Sequence, residues 1–262
     1  GYDDVIIGAA YGGGDVVHAG EAYVVFGKAS GFASSLDLDN LGTNGFRLKG
    51  AHGYDQAGLS AASAGGDLNG DGIDDLLVGA PHYNAGAGYS GATYVVFGSS
   101  SGFGTGLDLG DLGTHGFRLD GRNNEESGSS VVSAGDVNGD GLVDLMIGSR
   151  AYSTGATYVV FGRSTGFGSS LNLSTLSGSD GFRLEGIPND GAGKSVAGAG
   201  DVNGDGYDDV IIGAFSRDAN GADSGESYVV FGKASGFSST LDLDSLGTNG
   251  FSPAMPITME LD

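Results

Sequence analysis

The chain contains no cysteine and no tryptophan, and only 4 of its 262 residues are proline. Without cysteine it has no disulfide framework, no thiol chemistry and no thiolate metal site. No run approaches the roughly 20 consecutive apolar residues that a membrane-spanning helix needs. The first residues, GYDDVIIGAA, also lack the basic region and the pattern of a signal peptide. We therefore expect no membrane insertion.

Basic residues are scarce, since 11 lysines and arginines stand against 33 acidic residues and leave a net charge of −22. Such a charge repels phosphate backbones and anionic lipid surfaces, so neither nucleic acid nor an anionic membrane is expected as a partner. Glycine is abundant by contrast, at 54 residues without a collagen-like period. With many short apolar runs, this composition favours an all-β repeat protein that is rich in tight turns.

A nine-residue acidic loop occurs three times. In each copy, side-chain oxygens stand at positions 1, 3, 5 and 9, position 6 is glycine, and position 7 offers a backbone carbonyl. Hard oxygen donors at alternate positions, around a glycine that lets the backbone turn, are typical of calcium sites with about six to eight oxygen ligands. The predicted calcium ligands are Asp67, Asn69, Asp71, Ile73 and Asp75 in the first loop, Asp136, Asn138, Asp140, Leu142 and Asp144 in the second, and Asp201, Asn203, Asp205, Tyr207 and Asp209 in the third.

Alternative interpretations of these loops fit less well. Magnesium needs tighter octahedral geometry, and zinc prefers Cys and His, which the loops lack. Asp, Asn and Gly also mark ordinary solvated turns, but chance does not account for three copies with the same positions filled. The helix-loop-helix calcium hand needs Glu at position 12, where this chain has Val78, Ile147 or Ile212. Each of these lies in a short β-branched run that ends at glycine, so the loop is predicted to connect two strands.

Other landmarks recur in step with the loops. Each unit is predicted to contain four strands: a small-residue strand before the loop, the apolar strand after it, a YVVFG strand and an FRLxG strand. Four short antiparallel strands per unit predict a β-propeller blade, with the small-residue strand nearest the axis. The chain is thus predicted to be one all-β propeller domain of about four blades, with repeats over residues 1–57, 58–127, 128–192 and 193–251 and an atypical tail at 252–262.

The order of Gly-x-Ser, acidic loop, apolar strand and Gly-Ala-Pro resembles the FG-GAP repeat family, most clearly at Leu76-Leu-Val-Gly79-Ala80-Pro81. Its best-known members are the β-propellers of integrin α-subunits, and the resemblance covers nearly the whole chain. It implies calcium in loops on one face of the propeller. The sequence departs from the family at the Phe of FG, which becomes Ala57, Ser127 and Ala192. These departures weaken kinship to integrins themselves but keep a bacterial-style repeat.

The two ends of the sequence do not match a complete ring. Residues 1–5 align with residues 206–210, so Asp4 corresponds to a ninth-position ligand whose loop is incomplete. The chain is either a piece of a longer propeller or a set of four blades that closes by other means. The tail from Pro256 to Asp262 could pair as a strand, or two chains could assemble into one larger ring. Unpaired strand edges favour some such closure or self-association.

Several motifs are attributed to chance or to packing. The segments Gly98–Gly102 and Gly162–Gly166 match the hydrolase pattern G-x-S-x-G but fall in turns, not at a strand-to-helix elbow. The histidines show no metal-ligand spacing and are expected at the surface or in loops. Tyrosine rings in the turns could stack on sugars, although packing within a blade is the favoured interpretation. These residues are His18, His52, His82 and His115, and Tyr11, Tyr54, Tyr83, Tyr89 and Tyr152.

The leading functional hypothesis is a calcium-stabilised extracellular β-propeller that binds about three calcium ions. It would be no enzyme, but a binding or adhesion module for a protein or glycan partner. Because clustered carboxylates repel one another, the metal-free chain is expected to be loosened or unfolded. The alternative is a scaffold propeller within a larger secreted hydrolase or lyase, or a propeller that is itself weakly catalytic through a carboxylate pair.

Overall fold

In this computed structural model, residues 2–13, 16–84, 86, 88–150, 154–218 and 224–252 are described. They form 18 β-strands and six short 3-10 turns, without an α-helix among them. No helix in these ranges could cross a membrane. The strands are β1 (Val5–Ala9), β2 (Glu21–Val25), β3 (Gly45–Lys49), β4 (Ser60–Ser63), β5 (Leu76–Ala80), β6 (Ala92–Val96), β7 (Gly106–Asp108), β8 (Gly116–Asp120), β9 (Ser127–Gly135), β10 (Asp144–Ser149), β11 (Thr154–Val160), β12 (Ser170–Asn172), β13 (Gly181–Pro188), β14 (Ala192–Gly200), β15 (Asp209–Ala214), β16 (Glu226–Val230), β17 (Thr240–Asp242) and β18 (Gly250–Phe251).

The strands form four sheets, which we number in chain order as blades 1 to 4. Blade 1 has the order β1-β2-β3-β7, blade 2 β4-β5-β6-β8-β12, blade 3 β9-β10-β11-β13-β17, and blade 4 β14-β15-β16-β18. The central strand pairs are antiparallel hairpins. This order confirms the predicted sequence of small-residue, apolar, YVVFG and FRLxG strands.

The apolar strands of blades 2 and 3 form because their side chains are covered on one face by the preceding blade and on the other by the following blade. Between blades 2 and 3, Leu77 and Phe117 pack against Ile147 and Tyr158. The same positions meet between blades 1 and 2 and between blades 3 and 4. Burial on both faces explains why strands such as β5 and β10 are continuous apolar runs instead of alternating ones.

A short outer strand in blades 1 to 3 was not predicted. The segments β7, β12 and β17 each come from the following repeat and pair in parallel with the FRL strand of the preceding blade. Each sheet therefore cuts across two sequence repeats. These three-residue strands carry no alternation long enough to be recognised, and only the neighbouring blade supplies their hydrogen-bond partners.

Neighbouring inner strands are joined by side-chain hydrogen bonds. The hydroxyl of Ser60 donates to the carbonyl of Gly128 over 2.8 Å, and Ser130 repeats the contact with Gly193 over 3.0 Å. The carbonyl of Gly128 lies so close to Gly79 that a Cβ at residue 79 would stand 2.1 Å from it. At Gly8, Gly79 and Gly148, the glycine near the end of the apolar strand is therefore required for one blade to approach the next.

The arc of blades is open in the described part of the chain. No strand pairing or hydrophobic cluster joins blade 4 to blade 1 there. Strand β1 has no inner neighbour, and its side chains Val5 and Ile7 are 55% and 36% exposed. The predicted closing strand at 256–262 lies outside the described residues.

Candidate metal centres

The three acidic loops lie at one end of their blades, each between the inner strand and the apolar strand. They connect β4 to β5, β9 to β10 and β14 to β15, which confirms a strand-to-strand loop. The glycine at position 6 has a left-handed backbone in every copy, with φ of 85° at Gly72, 87° at Gly141 and 92° at Gly206. A residue with a Cβ would be strained there, so glycine permits the turn around the loop centre.

The carboxylate at position 1 organises the loop backbone. In all three copies it accepts N–H groups from positions 4, 5 and 6, at 2.6 to 3.1 Å. Burial alone would raise the pKa of Asp67, but these N–H groups outweigh it and lower that pKa. At Asp201 the N–H of Gly206 is the largest cause, and the pKa is again lowered. Asp67 and Asp201 are thus stable anions that face the inside of the turn.

Positions 3 and 5 are joined to each other. The asparagine carbonyl oxygen accepts the N–H of position 5 at 2.8 Å in each loop. Its amide nitrogen donates back to the carboxylate of position 5, over 3.1 Å between Asn138 and Asp140. That carboxylate also accepts the N–H of position 7, over 2.9 Å at Leu142. The structure therefore brings the side chains of positions 1, 3 and 5 around one short turn.

The carboxylate at position 9 is buried completely in all three loops, at Asp75, Asp144 and Asp209. One oxygen accepts the N–H of position 2, and the other accepts the N–H of the glycine that follows YVVF. Loss of solvation raises the pKa of Asp75 to about 6 and that of Asp144 to about 7. The acidic residues at positions 1 and 5 contribute a smaller part of both increases in pKa. An ionised position 9 thus lacks a compensating positive charge.

Asp4 occupies the corresponding place in blade 1. Its carboxylate accepts the N–H of Gly27 over 2.9 Å, as Asp75 does with Gly98 over 2.8 Å. This contact agrees with the sequence alignment of residue 4 with the ninth loop position. Asp4 is exposed, whereas its counterparts are buried.

Backbone hydrogen bonds link each loop to the next. The N–H of Asp208 donates to the carbonyl of Asp136 over 3.1 Å, and the carboxylate of Asp208 accepts the N–H of Asp136 over 2.8 Å. Between the first two loops, Val143 donates to the carbonyl of Asp67 over 3.3 Å. Sequence reasoning missed Asp208 because position 8 is not shared, being Asp74 and Val143 elsewhere. The three loops therefore form one continuous acidic band.

The donor set of each loop fits a hard cation such as calcium, because it consists of carboxylate, amide and backbone oxygens without sulfur or imidazole. Within the described residues, no three His, Cys, Asp or Glu side chains already form a metal-binding group. Positions 1, 3 and 5 instead bond within their own loop. A cation would be held by these side chains and by the carbonyl of position 7, and it would balance the buried carboxylate of position 9.

Comparison with known proteins identifies the repeat. The family model described as FG-GAP repeat matches residues 59–96, 127–160 and 192–230. Each match begins near the inner strand, contains one acidic loop and ends in the YVVFG strand. The chain contains three FG-GAP repeats. The resemblance expected from the sequence is confirmed, as is the propeller fold that FG-GAP repeats adopt.

The curated relatives of the chain include integrin α-subunits and a phospholipase D. Integrin alpha-4 of Xenopus laevis is 32% identical over 165 residues, 62% of this chain and 15% of the relative. Integrin alpha-6 of Gallus gallus is 29% identical over 182 residues, which are 70% and 15% of the two chains. Phosphatidylinositol-glycan-specific phospholipase D of Bos taurus is 36% identical over 169 residues, which are 62% of this chain and 19% of the relative. The chain thus spans less than a fifth of the length of these relatives.

The face opposite the acidic band contains a second set of acidic residues. Acidic residues ahead of each inner strand are buried there, as Asp55, Glu125 and Asp190. Glu125 accepts from the hydroxyl of Tyr158 and pairs with Arg183 at 3.1 Å, so its role is to join blades 2 and 3. All four histidines lie outside the strands, as predicted.

The expectation that turn tyrosines pack within the blades is confirmed for Tyr83, which is 7% exposed. It is wrong for Tyr11, Tyr54 and Tyr89, which are 69%, 59% and 50% exposed. Tyr152 lies outside the described residues. The exposed rings stand in loops that project from the ends of the blades, where no neighbouring strand covers them.

Proposed function

We propose that this chain is a calcium-stabilised, extracellular β-propeller that acts as a binding or adhesion module for a protein or glycan partner. The single observation that carries the proposal is the buried carboxylate at position 9 of each oxygen-lined loop, whose pKa the acidic side chains at positions 1 and 5 help to raise at Asp75 and Asp144. Calcium supplies the missing positive charge when it binds. The integrin relatives support an adhesion-type module.

The position of the loops explains what calcium would do. Each loop joins the two innermost strands of a blade, and backbone hydrogen bonds connect it to the following loop. Cation binding would therefore brace one whole face of the propeller and leave the opposite loops free to contact a partner. Sites of extracellular modules bind calcium with dissociation constants on the order of 0.1 to 1 mM. Calcium outside cells would fill such sites.

Melting curves and calorimetry test this proposal. We expect the chain in 10 mM calcium chloride to melt well above the same chain in EGTA, with about three calcium ions bound per chain by titration calorimetry. Magnesium at the same concentration serves as the control cation and should stabilise the fold much less. Identical melting curves in calcium and in EGTA would refute the structural role of the metal.

The match to a phospholipase D favours a second candidate, in which the propeller is a scaffold within a larger secreted enzyme. Turnover by the isolated chain tests the further alternative, in which the propeller is itself catalytic. A binding module retains a glycan or protein in calcium without converting it, whereas an enzyme consumes its substrate. If the isolated chain hydrolysed a sugar or ester substrate, the assignment as a non-catalytic module would be wrong.

A further inference from the structure

A group of exposed aromatic rings stands on the face opposite the acidic loops. Tyr11 and His18 come from the β1–β2 loop, and Tyr54 comes from the connection between β3 and β4. The ring of His18 meets both tyrosine rings edge-on, with centroids 5.7 Å from Tyr11 and 5.6 Å from Tyr54. We call these three residues the aromatic platform. Its two tyrosines are 69% and 59% exposed, so wide ring surfaces are open to solvent.

Backbone hydrogen bonds join the segments that carry His18 and Tyr54. The N–H of Tyr54 donates to the carbonyl of Val17 over 3.0 Å, and the N–H of Gln56 donates to the carbonyl of His18 over 3.2 Å. A parallel bridge between Gly20 and Ala57 continues the pairing. The two loops are therefore hydrogen-bonded to each other. A ligand that binds there would have to order few additional backbone groups.

Tyr54 occupies a backbone position that does not suit it. Its φ is 69°, in the left-handed region, and the same place in the next two blade connections is taken by Asn124 and Asn189, with φ of 62° and 69°. Asparagine enters this region readily, whereas a bulky side chain is strained there. His18 is left-handed as well, with φ of 53°. Backbone strain of this kind concentrates at ligand-binding sites. We therefore expect the Tyr54 side chain to serve ligand binding and not the stability of the fold.

The chemistry of the platform selects its ligand. In the described residues 11–13, 16–20 and 50–57, Asp55 is the only Asp, Glu, Lys or Arg, and it is buried and paired with His52. The platform itself consists of two phenol rings and one imidazole. Tyrosine rings can cover the apolar C–H face of a sugar, while their hydroxyls and the imidazole of His18 exchange hydrogen bonds with sugar hydroxyls.

We propose that the aromatic platform binds a neutral oligosaccharide. The proposal rests on the function proposed above, to which it adds the binding surface and the class of ligand. A second ring pair, His82 and Tyr89 with centroids 5.0 Å apart, extends the surface into blade 2. That loop joins the platform directly, because the N–H of His82 donates to the carbonyl of Asp55. A surface of this extent suits several sugar units instead of one.

Binding to immobilised maltohexaose, cellohexaose and chitohexaose tests the proposal, with a heparin hexasaccharide as the acidic probe. The calcium-loaded chain is compared with Tyr11→Ala, Tyr54→Asn and the control Tyr2→Ala. Tyr2 is also exposed, at 62%, but lies beside Asp3 and Asp4 at the acidic end of blade 1. Because the chain has no tryptophan, tyrosine fluorescence reports the titration directly.

We expect at least one neutral hexasaccharide to bind the parent chain. Its affinity should be at least tenfold lower for Tyr11→Ala and for Tyr54→Asn, and unchanged for Tyr2→Ala. The melting temperature of Tyr54→Asn should be no lower than that of the parent, since asparagine readily adopts a left-handed backbone conformation. The proposal is overturned if no neutral sugar binds, if only heparin binds, or if both platform variants keep full affinity. None of these results affects the calcium-dependent melting that tests the proposed function.

Discussion

Asp144 and Gly162 are joined across blade 3, since the carboxylate of Asp144 accepts the N–H of Gly162 over 2.9 Å. The second carboxylate oxygen accepts the N–H of Val137 over 2.8 Å. One buried side chain therefore fastens its own loop to the end of the YVVFG strand. The same pair of contacts recurs at Asp75 and Asp209. Position 9 thus has a role in the fold besides the one proposed for it in calcium binding.

The first prediction separates a ligand from its neighbour in the same loop. Asp71→Ala should lower the melting temperature in calcium by about 5–10 °C, because a site filled at about 100 times its dissociation constant adds about 2.7 kcal/mol. Asp74→Ala is the matched control, since Asp74 is exposed and is no predicted ligand. Its melting temperature should stay within about 2 °C of the parent. Equal shifts for the two variants would contradict the assignment of position 5.

The second prediction distinguishes position 5 from position 9. Asp144→Ala leaves two buried N–H groups without an acceptor, so it should cost about 2–5 kcal/mol with or without calcium. Asp140→Ala, at an exposed position, should cost stability only when calcium is present. Urea unfolding in calcium and in EGTA measures both, with sodium sulfate added in EGTA to keep the chain folded. If Asp144→Ala were harmless in EGTA, its hydrogen bonds would not be structural.

A third prediction concerns pH and Asp55. Burial raises the pKa of Asp55, although His52 and Arg118 partly oppose this. The folded chain therefore binds a proton at Asp55 more tightly than the unfolded chain, where the pKa is about 3.9. The contribution of Asp55 to stability should fall as pH rises from that value through the raised folded value, and then level off.

Urea unfolding in saturating calcium, repeated from pH 4 to pH 8, tests this for the parent and for Asp55→Asn. The difference between the two isolates Asp55 from the other acidic groups. We expect the free energy of unfolding of the parent, relative to Asp55→Asn, to decline with increasing pH. A difference that rises with pH would show that the carboxylate is stabilised in its ionised form.

The fourth prediction uses the stacked phenylalanines between blades. Phe237 lies on Phe182 of the preceding blade with ring centroids 4.6 Å apart and is 8% exposed. Phe32 is the corresponding residue of blade 1 and is 53% exposed. Phe237→Ala should cost about 3–5 kcal/mol, whereas Phe32→Ala should cost less than about 0.5 kcal/mol.

Light scattering measures the particle mass of the parent and of Phe32→Ala, and it tests whether two chains assemble into one ring. If two chains assemble into a larger ring, Phe32 is covered by another chain, and Phe32→Ala should weaken the assembly. A particle mass of one chain, unchanged by the substitution, would leave no support for ring closure by self-association.

The repeat and its loops were predictable because both depend on local chemistry. Positions such as Asp136, Asn138 and Gly141 follow one another in the sequence, and their contacts are made within a single turn. Apolar runs of four or five residues between glycines were equally clear. The loop sequence and the apolar run that follows it were therefore enough to predict a connection between two strands. The alignment of Asp4 with position 9 likewise agrees with its contact to Gly27.

Contacts between repeats were not predictable in the same way. The outer strand at Gly106–Asp108 exists because blade 1 presents β3 to it, and nothing within those three residues indicates a strand. The exposure of Tyr54 likewise depends on how two loops meet, and its left-handed backbone is visible only in the fold. Packing within the blade was the wrong expectation because sequence spacing does not show which loops lack a cover.

The sequence by itself determined the all-β class, the repeat and the oxygen-lined loops, since all three depend on residue type and short spacing. Tertiary structure decided which carboxylates are buried, how the loops join into one acidic band, and where aromatic rings remain exposed. Those properties arise between segments far apart in the chain, such as Val17 and Tyr54 or Asp136 and Asp208. Only the packing of one blade on the next brings such segments together.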